Sequence, residues 1–325
     1  MAVTPAARPV AVVLRALGLG DLLTAVPALR ALRGGLPDHE IVLAAPAPLA
    51  ALVPVLGAVD RLLALPGLVP VPQPFPRPAV AVNLHGRGPE SHGVLRALRP
   101  AALMAFAHPA HPGAGGPLAP AWQAEEHEVT RWCRLVAAYG FRPDPAGLDL
   151  LPPPAPSPLP GVVIVHPGAK HAARRWPAGR FAAVAAALRA DGHRVVVTGS
   201  REEGGLARSV ALAAGLAGDD VLAGRTDLAA LAAVVAGARL VICGDTGIAH
   251  LATACRTPSV VLFGPVPPAL WGPPPSRPRH VALWAGRRGS PLGAGPDPGL
   301  LEIGVADVLA AAGQALAAAG AKAVP

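Results

Sequence analysis

Two apolar runs, Leu240 to Cys243 and Ser259 to Phe263, lie close together in the chain, and both have the composition of buried strands. Between them Gly244-Asp245-Thr246-Gly247 supplies a tight turn and a helix start, and Ile248 to Cys255 has room for one short helix before Thr257-Pro258 closes it. Strand, helix and strand in that space make a parallel βαβ unit, and Gly264-Pro265 stops the second strand. A helix that starts at the carboxyl end of a parallel strand turns its unpaired N–H groups and positive dipole end toward the crevice where α/β proteins bind ligands. This stretch is therefore an expected anion site, with Thr246 and Gly247 offering backbone N–H groups. His250 is one turn further along the same helix edge. Singly, Asp245 reads equally well as a helix cap and His250 as a core histidine.

The 325 residues suit two domains better than one, and 52% hydrophobic residues suffice for two cores. Only 11 of them are Phe, Trp or Tyr, so those cores must be built from Leu, Val and Ala. Net charge is +8 and uneven: 1–150 carries 12 basic and 10 acidic side chains, 151–325 carries 16 and 10. The excess sits in the half with the expected anion site. There is no basic run and no aromatic platform interleaved with Arg, which disfavours nucleic acid; a weak attraction to anionic lipid is compatible. Cys133, Cys243 and Cys255 are odd in number and form no CxxC pair, as expected of reduced structural thiols in a cytoplasmic protein without a zinc site. Arg15 interrupts the apolar run near the start, which argues against a signal peptide, and no segment reads as a membrane span.

Along the chain, Val10 to Leu14 is a first strand, and Gly18-Leu19-Gly20-Asp21 opens a helix through Leu22, Val26, Leu29 and Leu32. Leu23 stands where a dinucleotide fingerprint needs its third glycine, so NAD is disfavoured. Ile41 to Ala45 is a second strand, Val59 to Leu65 an edge strand or turn, and Val80 to Leu84 a further strand running into His85-Gly86-Arg87. Glu125 to Tyr139 predicts an amphipathic helix with Glu125, Glu126 and Glu128 near its positive end. LPPPAPSPLP at 151–160 is a semi-rigid linker and the expected boundary, giving domains at 1–151 and 161–325. The second half repeats the opening of the first, with Val162 to Val165 followed by His166-Pro167-Gly168. Val195 to Thr198 leads into Gly199-Ser200-Arg201-Glu202-Glu203; Arg225-Thr226-Asp227 caps a helix through Val235; 264–300 shows few clear elements.

The D-T-G-x-x-H helix of Asp245, Thr246, Gly247 and His250, followed by Pro258-Ser259-Val260-Val261-Leu262-Phe263-Gly264-Pro265, resembles the nucleotide-sugar site of glycosyltransferase family 9, the ADP-heptose heptosyltransferases. Gly18, Gly20, Asp21, Pro27 and Leu29 resemble the opening G-x-G-D pattern of the same family. The resemblance implies a GT-B fold: two Rossmann-like α/β domains whose parallel sheets face a central cleft, with the last helix returning to the first domain. It implies a metal-independent, inverting transfer of a sugar from a nucleotide diphosphate, with no cofactor. Asp21 is then the general base; its plain alternative is a helix cap. Arg174 stands where family members usually have Lys before Trp176-Pro177, and an arginine fork still suits phosphate. With Arg174, the residues Asp245, Thr246, Gly247 and His250 would surround the donor diphosphate. Glu203, with Glu202 as the alternative, and Thr226 would face the nucleoside. Gly20, His85 and Arg87 are acceptor-side candidates. The implied partners are a donor, ADP-heptose above others, and a glycan, lipid-linked or small-molecule acceptor, met by a monomer in the cytoplasm or at the inner membrane face. A sugar-nucleotide epimerase and a non-catalytic nucleotide-binding module are the rival readings.

Overall fold

The computed structural model describes residues 8–320. The chain divides after Leu151 into two compact units. The first contains β1 (Val10–Leu14), α1 (Leu19–Thr24), α2 (Val26–Gly35), β2 (Glu40–Ala45), α3 (Val53–Leu56), β3 (Arg61–Ala64), β4 (Val80–Asn83), α4 (Glu90–Arg96), β5 (Ala102–Met104) and α5 (Glu128–Ala138). Its five strands are all parallel, in the order β3-β2-β1-β4-β5. All five residues of β1 are buried because helices cover both faces of a parallel sheet, which is why its sequence is continuously apolar and does not alternate. Each fully buried Val or Leu there contributes about 1.5–3 kcal/mol.

The second unit contains β6 (Val163–His166), α6 (Ala178–Ala190), β7 (Val195–Val197), α7 (Gly204–Ala213), α8 (Leu228–Ala236), β8 (Leu240–Gly244), α9 (Gly247–Ala254), β9 (Ser259–Phe263), α10 (Pro268–Trp271), β10 (His280–Trp284), α11 (Pro298–Glu302) and α12 (Val305–Gly320). Its sheet is also parallel, in the order β10-β9-β8-β6-β7. The strand order reverses between β1 and β4 in the first sheet and between β6 and β8 in the second. In open α/β sheets the crevice beyond the strand ends at such a point is the ligand site. Asp21 follows β1 and His85 follows β4; Gly168 follows β6 and Asp245 follows β8.

Some elements differ from the sequence pattern. The helix expected over 125–139 begins only at Glu128. The stretch 264–300 contains β10, which pairs with β9 in full register, because an edge strand needs apolar residues on only part of its surface and tolerates flanking prolines. The short α4 and β5 carry no periodic signal that a sequence can show. The final helix packs on α6, β8, β9 and β10 of the second unit. Val308, Ala311, Ala312 and Ala315 form its apolar stripe, and small alanines let it lie close on the sheet.

Candidate active site

In the second unit, β8 delivers Asp245 to the strand end, where its N–H bonds the Leu262 carbonyl of β9 (3.1 Å) and its side chain is almost fully buried. A buried carboxylate must be paired. Arg174, which ends a single 3₁₀ turn at 172–174, supplies the charge: its Nη1 lies 3.1 Å from Asp245 Oδ2. The backbone of this turn passes directly over the end of β8, so close that a Cβ on Gly244 would stand 3.0 Å from the Arg174 carbonyl oxygen. Trp176 fixes the turn from the other side, buried against Phe181 and donating to the Ile303 carbonyl (3.0 Å). It is a packing anchor.

Thr246 is the N-cap of α9 in extended backbone conformation, and no side-chain oxygen caps the helix. The first turn, beginning at Gly247, thus has no cap from the Thr246 side chain at the point where Arg174 approaches. Arg174 is partly exposed, and its Nε finds no hydrogen-bond partner among the described residues. His250, one turn in, is half-buried and packs edge-on against Trp271 (centroids 5.9 Å apart). Arg174, Asp245, Thr246, Gly247 and His250 are therefore gathered around one helix end that suits a diphosphate.

Glu203 follows β7, on the far side of β6 from β8. Ser200 N–H donates to its Oε2 (2.8 Å), and the carboxylate lies directly on Gly168, where a Cβ would be 2.2 Å from it. His166 at the end of β6 pairs its Nδ1 with Thr198 Oγ1 (3.0 Å); burial lowers its pKa, and the Glu203 charge opposes that. Glu202 is exposed. Thr226 is half-buried just ahead of Asp227, whose carboxylate caps α8 by accepting from Ala230 N (2.8 Å). Gly199 joins this turn to Glu203, since a Cβ there would meet Glu203 Cβ and Ala223 Cβ at 3.2 and 3.3 Å.

In the first unit, Gly18 is the N-cap of α1 and Asp21 its third residue; Gly18 N–H donates to Asp21 Oδ2 (3.1 Å). Asp21 closes the helix start, as the plain reading has it, but from inside the helix and through one oxygen. The other, Oδ1, lies 3.6 Å from Arg15 Nη2, and the side chain remains partly exposed. Gly20 sits in the same turn. His85 is half-buried beside the pair: burial and Arg15 lower its pKa, Asp21 raises it, and its N–H is held by Asn83 Oδ1 (3.0 Å). Arg87 is exposed in the loop that follows.

Arg15 and Glu128 carry no mark in the sequence beyond a cation at the end of an apolar strand and an acid at a helix start. In the fold they are buried together at 3.0 Å. Glu128 is thus not a solvated dipole partner; it also accepts from Trp132 Nε1 (2.9 Å) and Arg131. Among the described residues no group of three or more His, Cys, Asp or Glu side chains is placed to hold a metal ion, and no helix is long and apolar enough to cross a membrane.

The family model described as glycosyltransferase family 9 (heptosyltransferase) matches residues 121–291, just over half the chain. The chain belongs to glycosyltransferase family 9. It is 33% identical over 126 residues to lipopolysaccharide heptosyltransferase 3 of Escherichia coli, a match that spans 38% of the chain and only 36% of that relative. Solved family 9 structures agree over far more of the fold. The glycosyl transferase family 9 protein of Veillonella parvula DSM 2008 superposes with a TM-score of 0.76 at 19% identity, covering 95% of this chain and 97% of that one. The E. coli ADP-heptose lipopolysaccharide heptosyltransferase II gives 0.74 at 19% identity, over 96% and 99%. The two sheets are those of the GT-B heptosyltransferase structures.

Proposed function

We infer that this family 9 protein moves a heptose from ADP-heptose to an acceptor hydroxyl with inversion at the anomeric carbon and without a divalent metal. The observation that carries this reading is the α9 start: a helix end without a side-chain cap beside a partly exposed arginine that a buried carboxylate orients. A leaving nucleoside diphosphate gathers negative charge as the glycosidic bond breaks, and backbone N–H groups with a guanidinium fork stabilise that charge. Glu203 and Thr226 would face the nucleoside. On the acceptor side the hydroxyl oxygen bonds the anomeric carbon, its proton passes to Asp21, and the carbon–phosphate oxygen bond breaks to release ADP. Gly20, His85 and Arg87 would line the approach. Support for a heptose and for ADP comes from family membership and from the E. coli relative that bears ADP-heptose in its name. A lipopolysaccharide-core glycan is the first acceptor to try, since the curated relative is a lipopolysaccharide heptosyltransferase.

The test is calorimetric titration of ADP, UDP, GDP and NAD into wild type and Asp245→Ala, with chelator present. Selective ADP binding that disappears in the variant supports the reading. Preference for UDP points to a different donor or to the epimerase reading, and binding of none of the four removes the proposed donor site.

A further inference from the structure

Asp21 is held in an unusual way for a residue read as a base. Arg15 lies 1% exposed beneath it and grips it by the backbone, its Nε donating to the Asp21 carbonyl oxygen (2.9 Å). One terminal nitrogen of the guanidinium donates to the Leu84 carbonyl; the other donates to Thr24 Oγ1 (3.3 Å) and Glu128 Oε1 (3.0 Å). The Trp132 ring covers the guanidinium at 4.5 Å. Arg15 therefore ties together the end of β1, the α1 turn, the loop after β4 and the start of α5. Glu128 is equally fixed, by Trp132 Nε1 on Oε1 and Arg131 on Oε2.

This geometry separates two functions of one cation. An arginine against a carboxylate ordinarily closes to a hydrogen-bonded pair at about 2.7–2.9 Å. Arg15 closes on Glu128 and stays 3.6 Å from Asp21 Oδ1. With Oδ2 already taken by Gly18 N–H, Oδ1 is the oxygen left to receive a proton.

We propose that Arg15 and Glu128 are positioning residues for Asp21: Arg15 fixes the α1 turn, and Glu128 draws the guanidinium away so that Asp21 Oδ1 stays open to the acceptor hydroxyl. This rests on Asp21 being the base. Lysine cannot replace Arg15, because an ammonium has no planar fork to reach four partners on three separate elements.

The experiment compares Asp21→Asn, Glu128→Gln and the double variant Arg15→Met with Glu128→Met. Removing Glu128 alone leaves the buried Arg15 without its close partner, whereas removing both leaves Arg131 with Glu126 at 4.0 Å as its remaining carboxylate. ADP release from ADP-heptose is measured with a heptose-free lipopolysaccharide core oligosaccharide and with water alone as acceptor, beside ADP affinity and melting temperature. The pair predicts that the double variant keeps its melting temperature and ADP affinity while kcat falls roughly 100-fold. A double variant that melts like wild type and turns over like it overturns the proposal, provided that Asp21→Asn has lost turnover. Turnover retained in Asp21→Asn overturns the base reading instead. A crystal structure of Glu128→Gln decides the second half without turnover: Arg15 closing on Asp21 Oδ1 to about 2.8 Å supports it, and an unchanged separation refutes it.

Discussion

The two units use the same architecture, a parallel five-stranded sheet with a candidate functional turn at the point where strand order reverses, yet they stabilise charge there in different ways. In the second unit one ion pair, Arg174 with Asp245, stands beside a helix end without a side-chain cap, and much of the site is backbone. In the first unit the single carboxylate Asp21 sits on a buried network. Arg15 and Glu128 lead to Arg131, and Glu126 pairs with Arg134 at 2.7 Å, with the rings of Trp122, Trp132 and Phe106 packed against the three arginines. The contrast suits the chemistry proposed for each. An anion is bound well by many weak donors that need only face it, while a base must keep one oxygen at one place and unoccupied.

The contrast predicts that substitutions in the two turns separate cleanly by readout. The largest effect is expected for Asp21→Asn, which should lower kcat by about 10²–10⁴-fold while ADP affinity by calorimetry stays at the wild-type value. A shared loss of both would dissolve the division of labour. Next, Arg174→Ala should weaken ADP by roughly 1.5–3 kcal/mol, the range for hydrogen bonds to a charged group, with Arg174→Lys recovering part of it. Unchanged binding in Arg174→Ala would move the anion site off α9.

A third difference is acid sensitivity. His92 in α4 is wholly buried, with both ring nitrogens lacking a hydrogen-bond partner; burial first, then His111, His108 and Arg96, lowers its pKa to about 4. The unfolded chain, with an ordinary histidine, binds the proton first. The stability this gives is therefore complete above pH 6.5 and is lost as pH falls from there toward 4. Melting curves at pH 7.5 and 5 should show a drop that His92→Leu reduces; an equal drop in the variant would assign the sensitivity elsewhere. The smallest effect is expected at Gly168. A Cβ there displaces the Glu203 carboxylate from Ser200 N–H, so Gly168→Ala should lower the melting temperature by about 2–4 °C and weaken ADP as Glu203→Ala does. If Glu203 does not face the nucleoside, the two variants will bind ADP like wild type.

Much of this was legible in the chain. The strands β1, β6, β8 and β9 are largely apolar runs because they are buried on both faces, and the turns after β1 and β8 are written in Gly, Asp and Thr. Arg174, Asp245, Thr246, Gly247 and His250 lie in two short motifs, 166–176 and 245–250, so local pattern was enough to nominate them. In the first unit Asp21, Gly20 and His85 were nominated from the sequence, while Arg15 and Glu128 were not. Arg15 and Glu128 are 113 positions apart, and nothing in either neighbourhood marks them as partners.

The sequence by itself therefore determined the two α/β halves, the boundary at the proline-rich linker and the turns where ligands are expected, since these follow from hydrophobic period and turn chemistry within a few residues. Tertiary structure alone decided that the last helix belongs to the second unit, that β10 completes its sheet, and that Glu128 pairs with Arg15. Those choices depend on which buried surfaces and charges meet across long separations, and a buried charge is tolerated only where the fold brings its partner to it.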